Sequence, residues 1–141
     1  MSLVFWDTNL FVYLMEDHPQ YGPRVTEMRA RMLERRDRLC TSALTLGELL
    51  TAPYTRGDER LALRYKEALA PPHVDVLPFS RDAAEHYARI RVDKSIAPAD
   101  AVQLACAAQA GVDLFLTNDR RLSRRIVPGV QFIADLDVRI L

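Results

Sequence analysis

Four carboxylates stand in this sequence where chemistry could be done. Asp7 directly follows the apolar run Leu3-Val4-Phe5-Trp6, and Asp119 follows Leu114-Phe115-Leu116-Thr117 after one intervening residue, Asn118. Glu48 lies among leucines in Leu44-Thr45-Leu46-Gly47-Glu48-Leu49-Leu50, and Asp100 opens the alanine-rich stretch that runs from Ala97-Pro98 to Ala108. Each has an ordinary use when taken singly. An Asp between a strand and a helix caps that helix, and an acid in a first helical turn suits the exposed N–H groups there, which would account for Asp7, Asp119 and Asp100. Glu48 has little solvated face among its leucines. A lone buried carboxylate is unstable unless paired or bound to metal, so this acid is expected to have a partner nearby.

Taken together, the four imply a cation. Two acids 4 Å apart repel by about 1 kcal/mol in water and about 4 kcal/mol at an effective dielectric near 20, so such a cluster needs a counter-ion. All-oxygen donors with no neighbouring His or Cys favour Mg²⁺ or Mn²⁺, with water filling the remaining positions, over zinc. An ion of that kind activates water and neutralises charge on a phosphodiester, which makes phosphodiester hydrolysis the natural reaction. Thr8, Asn9, Thr117 and Asn118 flank the acids and could orient them; simple capping and turn chemistry is the equally ordinary use of such residues.

These acids can meet only if the elements around them bring them together. Leu3–Trp6 reads as a strand buried on both faces, followed by a helix that starts where it stops and ends at Asp17-His18-Pro19. An amphipathic helix is expected from Pro23 to about Arg38, a second strand at Leu39–Ser42, and a helix from about Leu44 to Ala52 stopped by Pro53. Another helix follows from about Asp58 to Ala70, then a strand at Val74–Leu77, a helix from Ser80 to about Val92, and one from Ala99 to Ala110 opened by Pro98 and closed by Gly111. Leu114–Thr117, a short helix to about Arg125, and a strand or edge at Val130–Ile133 complete the pattern. Strands alternating with helices predict a parallel, roughly five-stranded sheet in a three-layer α/β/α sandwich, its site at the carboxyl ends of the strands. At 141 residues, a single domain over 1–141 is expected.

At this point the residues resemble a known family. An apolar strand running into Asp7-Thr8-Asn9, Glu48 in Thr-Leu-Gly-Glu-Leu-Leu, Pro98-Ala99-Asp100-Ala101 opening an alanine-rich helix, and Phe115-Leu116-Thr117-Asn118-Asp119 together look like a PIN domain of the VapC toxin type. The resemblance covers essentially the whole chain in order. It implies Mg²⁺- or Mn²⁺-dependent endonucleolytic cleavage of RNA, with Asp7, Glu48, Asp100 and Asp119 as catalytic metal ligands and Asn9 and Thr117 as polar neighbours. It further implies a homodimer and a cognate antitoxin, the other half of a type II toxin-antitoxin pair, whose tail occupies the acidic groove.

Composition narrows the alternatives. Lys plus Arg and Asp plus Glu both number 19, so any nucleic-acid surface must be local; all but Lys66 and Lys94 of the basic residues are arginines, which pair bidentately with phosphate. Arg120, Arg121, Arg124 and Arg125 lie beside Asp119 and are the better-placed RNA-binding cluster, whereas Arg29, Arg31, Arg35, Arg36 and Arg38 read equally as a solvated helix face. The apolar N-terminal run ends at Trp6, too short for a signal peptide or a spanning helix, so a cytoplasmic protein with no membrane association is expected. Cys40 and Cys106 read as reduced core residues, and Asp93 and Asp113 as solvated loop acids. The rival readings are a PIN-like module that binds RNA or protein without catalysis, and a haloacid-dehalogenase-like phosphohydrolase. The latter needs a second Asp where Asn9 stands and a lysine late in its site.

Overall fold

The central strand is the most apolar one. In a computed structural model, which describes residues 1–137, β1 (Leu3–Trp6) lies in the middle of a five-stranded sheet of order β3-β2-β1-β4-β5, every pairing parallel. Residues 138–141 of the expected 1–141 domain lie outside the described ones. The other strands are β2 (Arg38–Ser42), β3 (Asp75–Leu77), β4 (Leu114–Leu116) and β5 (Phe132–Ala134). Val4, Phe5 and Trp6 are fully buried because helices cover both faces of a parallel sheet.

Period-two alternation sends successive side chains into two separate cores. Val4, Trp6, Leu114 and Leu116 pack on one face against α1 (Thr8–Met15), α2 (Gly22–Arg35), α3 (Ala43–Thr55) and α4 (Glu59–Ala68), through Leu10, Val25, Met28, Leu49 and Tyr65. Phe5, Cys40 and Phe115 pack on the other face against α5 (Arg81–Ile90), α6 (Pro98–Ala110) and α7 (Arg120–Ser123), through Ala83, Leu104 and Leu122. Phe5 and Phe115 stack across neighbouring strands with ring centroids 4.8 Å apart. The expected three-layer α/β/α sandwich is therefore observed, and both cysteines are free and buried.

Topology locates the crevice. The chain winds from β1 outward to β2 and β3 with its helices on one face, then returns to β4 and β5 on the other side of β1 with its helices on the opposite face, as right-handed crossovers require. The direction reverses between β1 and β4, whose carboxyl ends consequently border an open cleft.

Two element readings are corrected. Pro53 does not stop α3, which continues to Thr55 with Pro53 buried inside it. A proline two residues from a helix end removes a single intrahelical bond, and here Asp58 N–H donates to its carbonyl at 2.8 Å while the ring packs in the interior. The second helix ends at Arg35 rather than Arg38, because Arg36 turns into the left-handed region (φ 60°) and Asp37 N–H closes the end on Met32 O at 2.8 Å.

The approach of the β5 loop to α6 depends on one glycine. Gly129 has φ +94°, and a Cβ there would meet the Ala108 carbonyl oxygen at 2.9 Å. Gly129→Ala is expected to destabilise the fold by about 1–3 kcal/mol, read as a lowered midpoint in urea unfolding. An unchanged midpoint would contradict this packing.

Candidate active site

The cleft beyond the carboxyl ends of β1 and β4 opens into a cavity of about 470 Å³, and Asp7, Glu48, Asp100 and Asp119 all line it. Each acid is delivered by a different element. Asp7 stands between β1 and α1 as the helix N-cap, Glu48 projects from α3, Asp100 lies in the first turn of α6, and Asp119 caps α7.

Asp7 is held most firmly. Its backbone N–H donates to Leu116 O at 2.9 Å, tying the end of β1 to β4. Its Oδ1 accepts from Thr8 N–H and its Oδ2 from the Thr117 hydroxyl, both at 2.8 Å. Thr117 is fully buried, and its oxygen also accepts from Asp119 N–H at 3.1 Å, so one hydroxyl couples two of the acids. Burial pushes the Asp7 carboxyl above its ordinary range, the bonds from Thr117 and Thr8 pull it back, and the charges of Asp100 and Glu48 raise it further.

Asp100 is half-buried, and its proton affinity is raised by burial first, then by repulsion from Asp119 and Glu48, with Arg121 acting in the opposite direction. Asp119 accepts from Arg121 N–H at 2.9 Å, and the Arg121 guanidinium lies 3.6 Å from the same carboxylate. Glu48 is exposed, contrary to the expectation of a buried acid. Of its leucine neighbours only Leu49 is fully buried, and a step of one residue turns the side chain about 100° round the helix, so crowding in sequence did not mean crowding in space. Glu48 nevertheless has a partner: its Oε1 accepts from the Thr8 hydroxyl at 2.7 Å.

Asn9 is exposed on the cavity wall, as are Arg120 and Arg121, while Arg124 is exposed but lies outside that lining. Arg120 forms an ion pair with Asp137, and Arg125 with Asp93 at 2.9 Å. Asp113, read as a solvated loop acid, is half-buried and accepts from Leu3 N–H at 2.8 Å, so it serves the opposite end of β1. The arginines before β2 are largely engaged with the fold: Arg29 donates to His73 O, Arg35 faces buried Asp37, and Arg38 pairs with Asp75 at the start of its strand.

Beneath the acids lies a polar network that the sequence reading missed. Buried Ser42, Thr45 and Gln103 are hydrogen-bonded to one another and to Thr8. The available signal was a single amide within the otherwise apolar Ala101–Ala108 run, three residues beyond Asp100 and so on the same side of its helix.

The donor set is entirely oxygen, and neighbouring carboxylates add to the raised proton affinity of Asp7 and Asp100, an arrangement that a hard divalent ion would relieve. Among the described residues no group of three His, Cys, Asp or Glu side chains is gathered closely enough to hold an ion unaided. An ion held there would need water to complete its coordination, as Mg²⁺ usually does.

Comparison with known proteins agrees with this architecture. A family model described as PIN domain matches residues 4–126. Ribonuclease VapC23 of Mycobacterium tuberculosis (strain ATCC 25618 / H37Rv) is 31% identical over 123 residues, covering 86% of this chain and 96% of its own length. The solved structure of VapBC2 from Rickettsia felis, bound to a DNA fragment from their promoter, is similar with a TM-score of 0.72 at 18% identity, covering 94% of this chain and 98% of its own. That of Mycobacterium tuberculosis VapC20, described as a sarcin-ricin loop cleaving toxin, is similar with a TM-score of 0.67 at 19% identity, covering 87% and 96%. These last two are likenesses of fold.

Charge crowding has a measurable consequence. Because the Asp100 carboxyl is raised above its ordinary 3.8 in the folded chain, its ionised form opposes folding. In chelator-treated protein, Asp100→Asn is expected to raise stability at pH 7 modestly, read as a Tm higher than that of the wild type, because solvent screens much of the repulsion at a half-buried site. The advantage should disappear as the pH falls below the ordinary value, where the wild-type acid is protonated in both states. A variant less stable than wild type at pH 7 would mean that the acid is held by favourable contacts instead.

Proposed function

The chain belongs to the PIN domain family, and from that premise we propose that it is a metal-dependent endoribonuclease, the toxin of a toxin–antitoxin pair. The observation that carries this reading is the convergence of four carboxylates from four elements on one cleft, two of them coupled by the buried Thr117 hydroxyl. Relatedness to a ribonuclease over nearly its whole length supports RNA as the substrate.

Asp7, Glu48, Asp100 and Asp119 would hold Mg²⁺ or Mn²⁺. A bound ion of this kind lowers the proton affinity of water and neutralises charge on the scissile phosphate. The remaining work belongs to the chain's own groups. Thr8 N–H and the Thr117 hydroxyl fix both oxygens of Asp7, and Thr8 fixes one oxygen of Glu48, leaving its Oε2 directed by the same contact. Prior fixation of this sort lets donors act without reorganising when substrate arrives. Arg120 and Arg121 on the rim offer planar forks for phosphate, which would draw them from their present carboxylate partners. Asn9, exposed on the wall, is available to a nucleotide.

The acidic cleft also suits a basic segment of an antitoxin, and a homodimer is the assembly we propose for the free toxin. The similar structure from Klebsiella pneumoniae is a toxin-antitoxin complex, with a TM-score of 0.67. Among the described residues no helix is long and apolar enough to cross a membrane, and we assign the protein's action to the cytoplasm, where RNA is met.

Labelled structured RNA should be cleaved by the purified protein with Mg²⁺ or Mn²⁺ and left intact with a chelator. Asp7→Asn, shown by circular dichroism to fold, is expected to lower the rate about 100-fold or more. Retention of RNA without cleavage at any ion concentration would favour a non-catalytic binding module.

A further inference from the structure

We infer that Gln103 is a positioning residue for the proposed reaction: acting through Thr8, its side-chain amide commits the Thr8 hydroxyl proton to Glu48. The inference rests on the reading of Glu48 as an ion-holding acid.

The argument is a count of protons. Gln103 is 2% exposed, yet it lines the floor of the cleft. An amide offers two N–H donors on one atom and an acceptor on the other. Ser42 donates its hydroxyl to Oε1, which turns Nε2 toward the two threonines. Nε2 then donates to Thr45 Oγ1 at 2.6 Å and to Thr8 Oγ1 at 3.1 Å. Thr8 has one hydroxyl proton, and it reaches Glu48 Oε1 at 2.7 Å. The 3.1 Å contact between Thr8 and Thr45 must therefore be donated by Thr45, whose own oxygen is supplied by Gln103. Every proton is used once, and each hydroxyl oxygen accepts at least one bond. Both acceptor positions of Thr8 are occupied, so its only unsatisfied capacity is as a donor, and Glu48 is what that donor faces.

Reversal of the amide would reverse the chain. An oxygen facing the threonines would draw their protons inward, leaving Thr8 to meet a carboxylate with lone pairs. A carboxylate only accepts, so Thr8 donates to Glu48 and its oxygen is matched by the nitrogen end of the amide, while Ser42, which accepts from Thr45 N–H at 3.3 Å at the N-cap of α3, donates to the oxygen end. A buried cap is thus linked through Gln103 and Thr8 to an exposed acid. Polar networks of this kind act as units, so removing one member disturbs the others.

A residue that merely fills space beneath the cleft would affect stability and leave ion binding alone, and the test separates these roles. Mn²⁺ affinity of the full chain would be measured by calorimetry for the unmutated protein, Gln103→Met, Thr8→Val and the double variant, with thermal melting to verify folding. Gln103→Met and Thr8→Val are each expected to weaken Mn²⁺ binding about 10-fold or more, and the double variant to bind no more weakly than Thr8→Val alone. Affinity within twofold of wild type in Gln103→Met, or losses that multiply in the double variant, would overturn the assignment. Should Gln103→Met not fold, Gln103→Glu decides: it keeps length and shape but accepts where the amide donates, so weakened binding supports the assignment and unaltered binding overturns it. An unmutated protein that neither binds Mn²⁺ nor cleaves RNA would remove the metal-site reading itself, a result distinct from a normal wild type beside a normal Gln103→Met.

Discussion

A carboxylate cannot be buried beside other carboxylates unless something holds it, and the structure around the cleft follows from that constraint. Asp7 is placed by the most apolar strand of the sheet, so it is desolvated by the same burial that makes β1 the centre of the fold. Two hydrogen bonds offset part of that penalty, their donors the first amide of α1 and a fully buried threonine after β4. The β1–β4 pairing is thus structural and functional at once. It closes the middle of the sheet, and it brings the Thr117 hydroxyl to the Asp7 carboxylate.

The other three acids are less buried, and at Asp100 the charges of Asp119 and Glu48 add to the effect of burial. Asp119 has Arg121 nearby and Glu48 has Thr8, whereas among the described residues Asp100 has no side-chain donor bonded to it and is moderated by the Arg121 charge. A cleft balanced in this way is receptive to positive charge from any source. A hydrated divalent ion or the guanidinium groups of a basic segment would each answer that demand.

Much of this was legible in the sequence because it depends on short-range pattern. Apolar runs of three or four ending at a polar residue identify β1 and β4, and the strand-end rule then selects Asp7 and Asp119. Pro98 and Gly111 bracket α6 as expected. The failures share a different cause. The exposure of Glu48, the burial of Pro53 and the attachment of Asp113 to β1 all depend on what approaches from elsewhere in the chain. Gln103 was passed over for the same reason, since an amide in an alanine-rich helix signals nothing until hydroxyls from α1 and α3 are known to converge on it.

The order of strands in the sheet also bears on how the protein is made. β1 finds its first neighbour, β2, early, but the second neighbour comes only after the outward half of the sheet and its return crossover, and the hydroxyl that orients Asp7 is 110 positions away from it. Pairing across so long a loop is entropically slow, and until it occurs β1 is an exposed apolar edge. A chain emerging from the ribosome therefore carries its first acid long before it carries the means to aim it. The cleft is complete only once β4 lies beside β1, when the Thr117 hydroxyl reaches Asp7 and the chain beyond it carries Asp119 to the same opening.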